Sequence, residues 1–420
     1  MPDTDLDAQL TRLRNEVRGS LPVPGFEQIV ARHKQRVIRR RMQIGAVVAV
    51  LVVSLAIPLL RDQMVPEPPD VASPPPSSGA LETGSFLAQA QFADADHGYA
   101  IRATCKSGPR KCTTELLVTA DGTHWKKRDI PRPQTAPSWS RADVHVLGPE
   151  ELTLDWPLSP SAETTQVARW HSVDGGVTWT KVDVPVVVTD TVPAIPAGGV
   201  LTQSCARASS DQKLCEERGF VVVQPGTGKS VALAHQPPLI AMTAGSVPTA
   251  DGVWWVAGMD PKTDHWGLGI SHDDGRTWTT SVLDWGEPVY PSGWSVGSHG
   301  GTLYATAIGA LPAESNGLLA VFASTDGGRS WQQTWHPQAG KAPRRVFATT
   351  VVADDGSLTI NAQDDKQYRS RDGGRTFTEV PARYKYYAQR TRTGYIAGGE
   401  GNFDFMASAD GLHWRKFKVG

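Results

Sequence analysis

The chain has 420 residues, with 42 Lys plus Arg against 43 Asp plus Glu. That length carries one large domain plus extras, and the balanced charge gives no global electrostatic reason to bind nucleic acid or an acidic polymer. Trp is heavily used, 14 against 10 Phe and 8 Tyr, beside 41 Gly and 31 Pro, a composition of short strands and tight turns rather than of long helices.

Residues 1–41 are predicted to form a helical cytoplasmic tail. Leu6, Leu10, Leu13 and Val17 recur at helical spacing up to Gly19, and a second stretch begins near Pro24 with Phe26, Ile29, Val30 and Val37 on one side. Two readings stand: a docking helix for a cytoplasmic partner, or an amphipathic helix lying on anionic lipid. The tail is similar in layout to those of bacterial membrane-bound anti-sigma factors, without a shared motif. Residues 42–61 contain the uncharged run IGAVVAVLVVSLAIPLL, read as a single transmembrane helix. Arg32, Lys34, Arg36, Arg39, Arg40 and Arg41 precede it, whereas only Arg61, beside Asp62, follows closely. The positive-inside bias puts the amino terminus in the cytoplasm and the remainder outside the cell. A cleaved signal peptide is the alternative, but the charged region before the apolar run is far longer than a signal's. Residues 62–84 are a Pro-rich linker.

Residues 85–420 carry an internal repeat, S-x-D-x-G-x-T-W. It occurs at Ser172–Trp179, Ser271–Trp278, Ser324–Trp331 and Ser370–Phe377, with a shorter form, A-D-G-x-H-W, at Ala120–Trp125 and Ala409–Trp414. Asp121, Asp174, Asp273, Asp326, Asp372 and Asp410 are its acidic positions. Asp and Gly suit a tight turn between antiparallel strands, the Asp accepting backbone N–H bonds and the Gly supplying positive φ. The Trp opens the next strand with a large face for packing. These roles are structural. Most repeats lie about one propeller blade apart, roughly 40–55 residues. Trp179 to Trp278 is twice that, so a blade without the motif is expected between them. Residues 218–235 supply its strand–turn–strand pattern, turning at Pro225-Gly226-Thr227-Gly228. The expected fold is all-β, a seven-bladed β-propeller, its first and last blades each complete.

Cys105 and Cys112 flank one hairpin loop, and Cys205 and Cys215 another. Of the three connectivities open to four cysteines, pairing within each loop is the simplest, and an oxidising compartment suits it. The spacing does not suit a metal site.

The repeats resemble the Asp boxes of the sialidase superfamily, a group that also includes xyloglucan hydrolases, sortilin-type receptors and photosystem assembly factors. That resemblance implies the propeller fold and leaves chemistry open. Sialidases carry an Arg-Ile-Pro signature ahead of the first box. This chain has Ile130-Pro131-Arg132-Pro133, after a box and in another order. Glycosidases need two carboxylates at a set separation, and nothing in the sequence brings Glu151, Asp155 and Asp284 together. Gly226-Thr227-Gly228-Lys229-Ser230 lacks the leading glycine of a phosphate-binding loop and reads as a turn. No catalytic residue, cofactor or metal is assigned.

Trp254, Trp255, Trp266, Trp285, Tyr290, Trp294 and Tyr304 crowd one region. Inter-blade packing uses such residues, and so does ligand stacking. Trp285 and Trp294, in the loop-like DWGEPVYPSGW, are the expected ligand contacts. The function expected is a membrane-tethered extracytoplasmic binding or sensing module, for an extracellular protein or cell-wall glycan. A glycoside hydrolase and a transmembrane sensor acting through residues 1–41 are the alternatives.

Overall fold

The computed structural model describes residues 84–105, 112–133, 142–158, 167–209, 215–284, 291–311, 314–337, 343, 345–362, 366–384, 387–398 and 403–419. The expected tail (1–41) and span (42–61), and the linker up to residue 83, lie outside the described residues. Among the described residues no helix is long and apolar enough to cross a membrane.

The described residues form seven four-stranded sheets, the blades of a propeller. Blade one is β1 (Gly84–Phe92), β2 (Gly98–Cys105), β3 (Cys112–Thr119) and β4 (Trp125–Arg128). Blade two is β5 (Asp143–Val146), β6 (Leu152–Pro157), β7 (Val167–Ser172) and β8 (Thr180–Val182). Blade three takes β9 (Thr191–Val192), β10 (Val200–Ala208), β11 (Cys215–Val223) and β12 (Ser230–Leu233). Blade four is β13 (Ile240–Ala244), β14 (Trp254–Met259), β15 (Trp266–Ser271) and β16 (Thr279–Val282). Blade five is β17 (Pro291–His299), β18 (Thr302–Leu311), β19 (Glu314–Ser324) and β20 (Gln332–Trp335). Blade six is β21 (Val346–Val352), β22 (Leu358–Ala362), β23 (Gln367–Ser370) and β24 (Thr378–Val380), and blade seven is β25 (Tyr387–Arg390), β26 (Tyr395–Gly398), β27 (Asp404–Ser408) and β28 (Arg415–Lys418).

Six blades are simple antiparallel meanders. Blade three, the one without the motif, has the order β10-β11-β12-β9, and its edge strand β9 pairs parallel with β12. Its β11–β12 turn still occupies a repeat turn's place. Gly228, with φ of 64°, sits on His171 of the preceding blade, as Gly328 sits on Ile270 and Gly374 on Val321.

The repeat turns are hydrogen-bonded alike. Ser172 donates its hydroxyl to Asp174 Oδ1 (2.8 Å), and Gly176 N–H donates to Ser172 Oγ (2.8 Å). Thr178 donates its N–H (2.9 Å) and its hydroxyl (2.6 Å) to the same carboxylate. Those donors, the Thr178 hydroxyl foremost, hold the Asp174 pKa down at about 2. In the short form the turn is one residue tighter, and a longer side chain replaces the threonine. His124 Nδ1 lies 2.7 Å from Asp121 Oδ2, and His413 Nδ1 lies 2.6 Å from Asp410 Oδ2. Thr119 and Ser408, two residues before those aspartates, fill the serine position. Gly328 shows why glycine is needed here: its φ is 86°, and a Cβ would lie 2.6 Å from Ile270 Cγ1.

Asp174→Ala removes several of these acceptors from one turn. Because the turn is open to water, the expected loss is on the order of 1 kcal/mol, read as a small fall in the urea midpoint. A depressed carboxylate pKa contributes stability above its unfolded value, near 3.9, and loses it as pH falls towards 2. The difference between wild type and variant should therefore vanish across that window.

The apolar core is divided among the seams. Tyr99, Leu116, Leu154 and Trp156 fill the seam of blades one and two; Phe220, Val222, Trp254 and Val256 that of three and four; Trp255, Trp266, Trp294 and Phe322 that of four and five. The ring closes between blades one and seven, where Phe92 meets Trp125, Phe405 and Phe417 at centroid distances of 6.1, 5.9 and 5.5 Å. Among the described residues no strand is shared across that seam, so closure rests on packing, as the sequence led us to expect.

The seam of blades two and three differs. Its apolar cluster is only Leu147, Val200 and Val223, and polar bonds do the joining. Arg169 grips Asp155 through two bonds of 2.6 Å, then donates across the seam to Gly228 O (3.1 Å) and Ser230 Oγ (2.7 Å). Glu151 Oε1 lies 2.7 Å from His171 Nε2 and accepts the Gly226 N–H at 2.5 Å.

Candidate functional site in the central channel

The first strands of the blades pack against one another in the middle of the ring: β1 against β5, β17 against β21 and β21 against β25. They enclose a cavity of about 260 Å³, lined from blades one, four, five, six and seven. Gln91, Thr243, Ser246, Thr349, Gln389 and Arg390 supply its polar wall. Among the described residues that line it none is Asp or Glu, and Arg390 is the one formal charge. The apolar part of the wall includes Trp255 and Trp294. Gly245 is required where it stands, since a Cβ there would come 2.3 Å from Trp255 Nε1.

Hydroxyl bonds brace this wall. Ser298 donates to Thr249 Oγ1 (2.8 Å), Thr306 and Thr350 hydroxyls lie 2.8 Å apart, and Thr350 N–H donates to Ser295 Oγ (3.2 Å). Tyr395 donates its hydroxyl to Val352 O (2.8 Å), and Arg390 lies over its ring at 4.9 Å. Burial raises the Tyr395 pKa, so the phenol stays protonated and remains a donor. Across the ring, Arg392 in the β25–β26 turn donates to Gly199 O at 2.8 Å. Gly199 directly precedes β10 of blade three, which is no neighbour of blade seven, so this bond spans the channel. Burial lowers the Arg392 pKa.

The expected contacts fare differently. Trp294 is not on a loop: it lies in β17, is 7 % exposed, and packs on Trp266 at a centroid distance of 6.3 Å. Strand pairing with β18 turns it inwards, which corrects the expectation of an exposed side chain. Trp285 lies outside the described residues. Trp254, Trp255 and Trp266 are buried too, while Trp255 and Trp294 also stand in the wall of the channel cavity.

The three carboxylates considered from sequence do not converge. Asp155 is buried and committed to Arg169, Glu151 engages His171 and Gly226, and Asp284 is exposed. Burial alone would raise the Asp155 pKa, but the Arg169 fork holds it well below the usual carboxylate range, so it donates no proton near neutrality. Asp143, opposite Asp155 in register, keeps an exposed side chain; desolvation by the surrounding protein and the Asp155 charge raise its pKa. Sequence reasoning passed over Arg390, Arg392 and Asp143. Arg390 and Arg392 had one signal, two cations closely spaced at the end of a strand lacking any acid.

Two disulfides are formed, Cys105–Cys112 and Cys205–Cys215. Each lies at the loop end of a hairpin, β2–β3 and β10–β11, and such bonds belong to domains folded in an oxidising compartment.

No protein-family model matches this sequence, and no curated protein matches it. Several solved structures are similar to it at low identity. YCF48 bound to D1 peptide is 12% identical, with 81% of this chain and 96% of that chain covered and a TM-score of 0.44. Penicillium chrysogenum alpha-L-arabinanase complexed with arabinobiose is 11% identical, at 79%, 90% and 0.38. Trypanosoma rangeli sialidase is 12% identical, at 80%, 54% and 0.36. At these identities the likeness is one of fold.

Proposed function

We propose that this protein is a membrane-tethered, extracytoplasmic binding module whose Asp-box propeller holds a ligand in its central channel. The observation that carries the reading is the channel cavity. It is polar, contains no carboxylate among its lining residues, and is walled by first strands from five blades. A rigid ring that presents side-chain donors without an acid–base pair suits recognition more than turnover. The tether rests on the apolar run at 42–61 and the arginines before it, and the outside location on that topology together with the disulfides. The ligand belongs to an extracellular protein or a cell-wall glycan. Residues 1–41 give the module a route to a cytoplasmic partner.

The test fills the cavity. Full-length protein carrying Thr349→Trp, in cells or detergent, is expected to keep its disulfides and its far-UV spectrum while losing at least ten-fold in capture of its cell-surface ligand. Undiminished capture would place the site elsewhere. A glycoside hydrolase is the second reading: Asp143, on the first strand of blade two, lies opposite Asp155 in register, a paired-carboxylate arrangement in which its pKa is raised. Turnover of sialosides or glucans that Asp143→Asn abolishes would establish it.

A further inference from the structure

We propose that the channel cavity binds a small oxyanion, a carboxylate or phosphate group on a compact carrier, through Arg390. This names the ligand chemistry of the same cavity and so rests on reading it as the binding site.

Arg390 lacks the carboxylate partner that several arginines of the fold have. Arg102, Arg169, Arg207 and Arg415 each have a carboxylate partner, Glu115, Asp155, Glu216 and Asp96 respectively. Among the described residues no carboxylate pairs with Arg390. Its partner is Tyr395, whose ring it lies over at 4.9 Å, and its Nε is buried with no hydrogen-bond partner. A guanidinium has five N–H donors, and burying such donors unmet is costly. Arg392, two residues on, adds a second cation that no described carboxylate balances, its one described bond being to a carbonyl. Blade seven thus brings two uncompensated cations to the channel.

The rest of the wall matches an oxyanion. Gln91, Thr243, Ser246, Thr349 and Gln389 line the cavity, and their side chains make no hydrogen bond to any described residue. They offer two amides and three hydroxyls to the oxygens that the guanidinium fork leaves over. Planar Arg donors match carboxylate or phosphate two oxygens at a time. Tyr395 stacked beneath the guanidinium fixes its plane before the ligand arrives, which lowers the entropy lost on binding. A volume of about 260 Å³ admits a compact group and excludes a long chain.

The experiment uses the full-length protein in detergent. Thermal unfolding is followed with rising acetate, malonate, phosphate or sulfate, against chloride at equal ionic strength. Wild type is expected to gain Tm with at least one oxyanion beyond chloride, as a ligand bound only by the folded state must give. Carboxylate and phosphate arms identify which group fits. Arg390→Gln should abolish the extra gain, and Arg390→Lys should retain part of it. Gln389→Ala, which breaks no side-chain hydrogen bond to a described residue, should weaken apparent affinity several-fold and keeps the test open if Arg390→Gln does not fold. A wild type that responds no more than to chloride overturns the proposal, and so does an Arg390→Gln protein or a Gln389→Ala protein that responds like wild type. Absent oxyanion response with Thr349-dependent capture intact overturns the anion alone. Loss of both overturns the channel site itself.

Discussion

Arg169→Met is expected to destabilise the propeller by about 3–5 kcal/mol, the range for removing one partner of a buried ion pair. Arg169 is 4 % exposed and Asp155 6 %. Without the guanidinium, Asp155 is a buried anion left with His145 Nε2 at 3.6 Å. The same change removes the bonds to Gly228 and Ser230, in the seam that has the least apolar packing to fall back on. Chemical denaturation of the full chain gives the loss. Its pH dependence checks the cause. In wild type the Asp155 pKa is depressed, so its contribution is complete above the unfolded carboxylate value, near 3.9, and fades as pH falls through the folded one. In the variant the buried carboxylate has lost its arginine, its pKa rises, and protonation relieves it. The gap between the two proteins should therefore narrow as pH is lowered towards 4. A gap independent of pH would mean that lost packing, not the stranded charge, is responsible.

Phe92→Ala is expected to cost a similar amount, about 3–5 kcal/mol for a buried aromatic truncated in a core, but with a different spatial signature. Phe92 joins Trp125 of its own blade to Phe405 and Phe417 of blade seven. Among the described residues no backbone ladder crosses this seam. What remains is apolar contact together with Arg415, which donates to Ala95 O at 3.2 Å. Hydrogen exchange should show protection lost first at β26 and β27, while β18 and β19 of blade five keep theirs. Uniform loss around the ring would show that closure is not its weakest joint.

The propeller was legible because its motif is local. Ser172, Asp174, Gly176 and Thr178 bond to one another within a few residues, so the turn leaves its mark on consecutive sequence. The short form was legible only in part: Asp121 and Gly122 were evident, but His124 and His413 as stand-ins for the threonine hydroxyl emerged from distances. The cysteine pairs were legible for the same local reason. Trp294 reads as loop from the Gly and Pro around it, whereas pairing with β18, a nonlocal event, makes it strand and turns it into the channel wall.

The chain's sequence alone determined the blade number, the turn chemistry and the disulfide pairs, and it carries the charge asymmetry around residues 42–61. Each of these depends on residues close in the chain. Only the tertiary structure decided which charges are answered. Asp155 and Arg169 are partners because β6 and β7 pair, and their grip on blade three depends on a turn some sixty residues further on. Arg390 stands unanswered because first strands from five blades meet around it without one acid among them. Whether a buried charge finds its counterpart is set by ring closure, where distance in sequence has no bearing on distance in space.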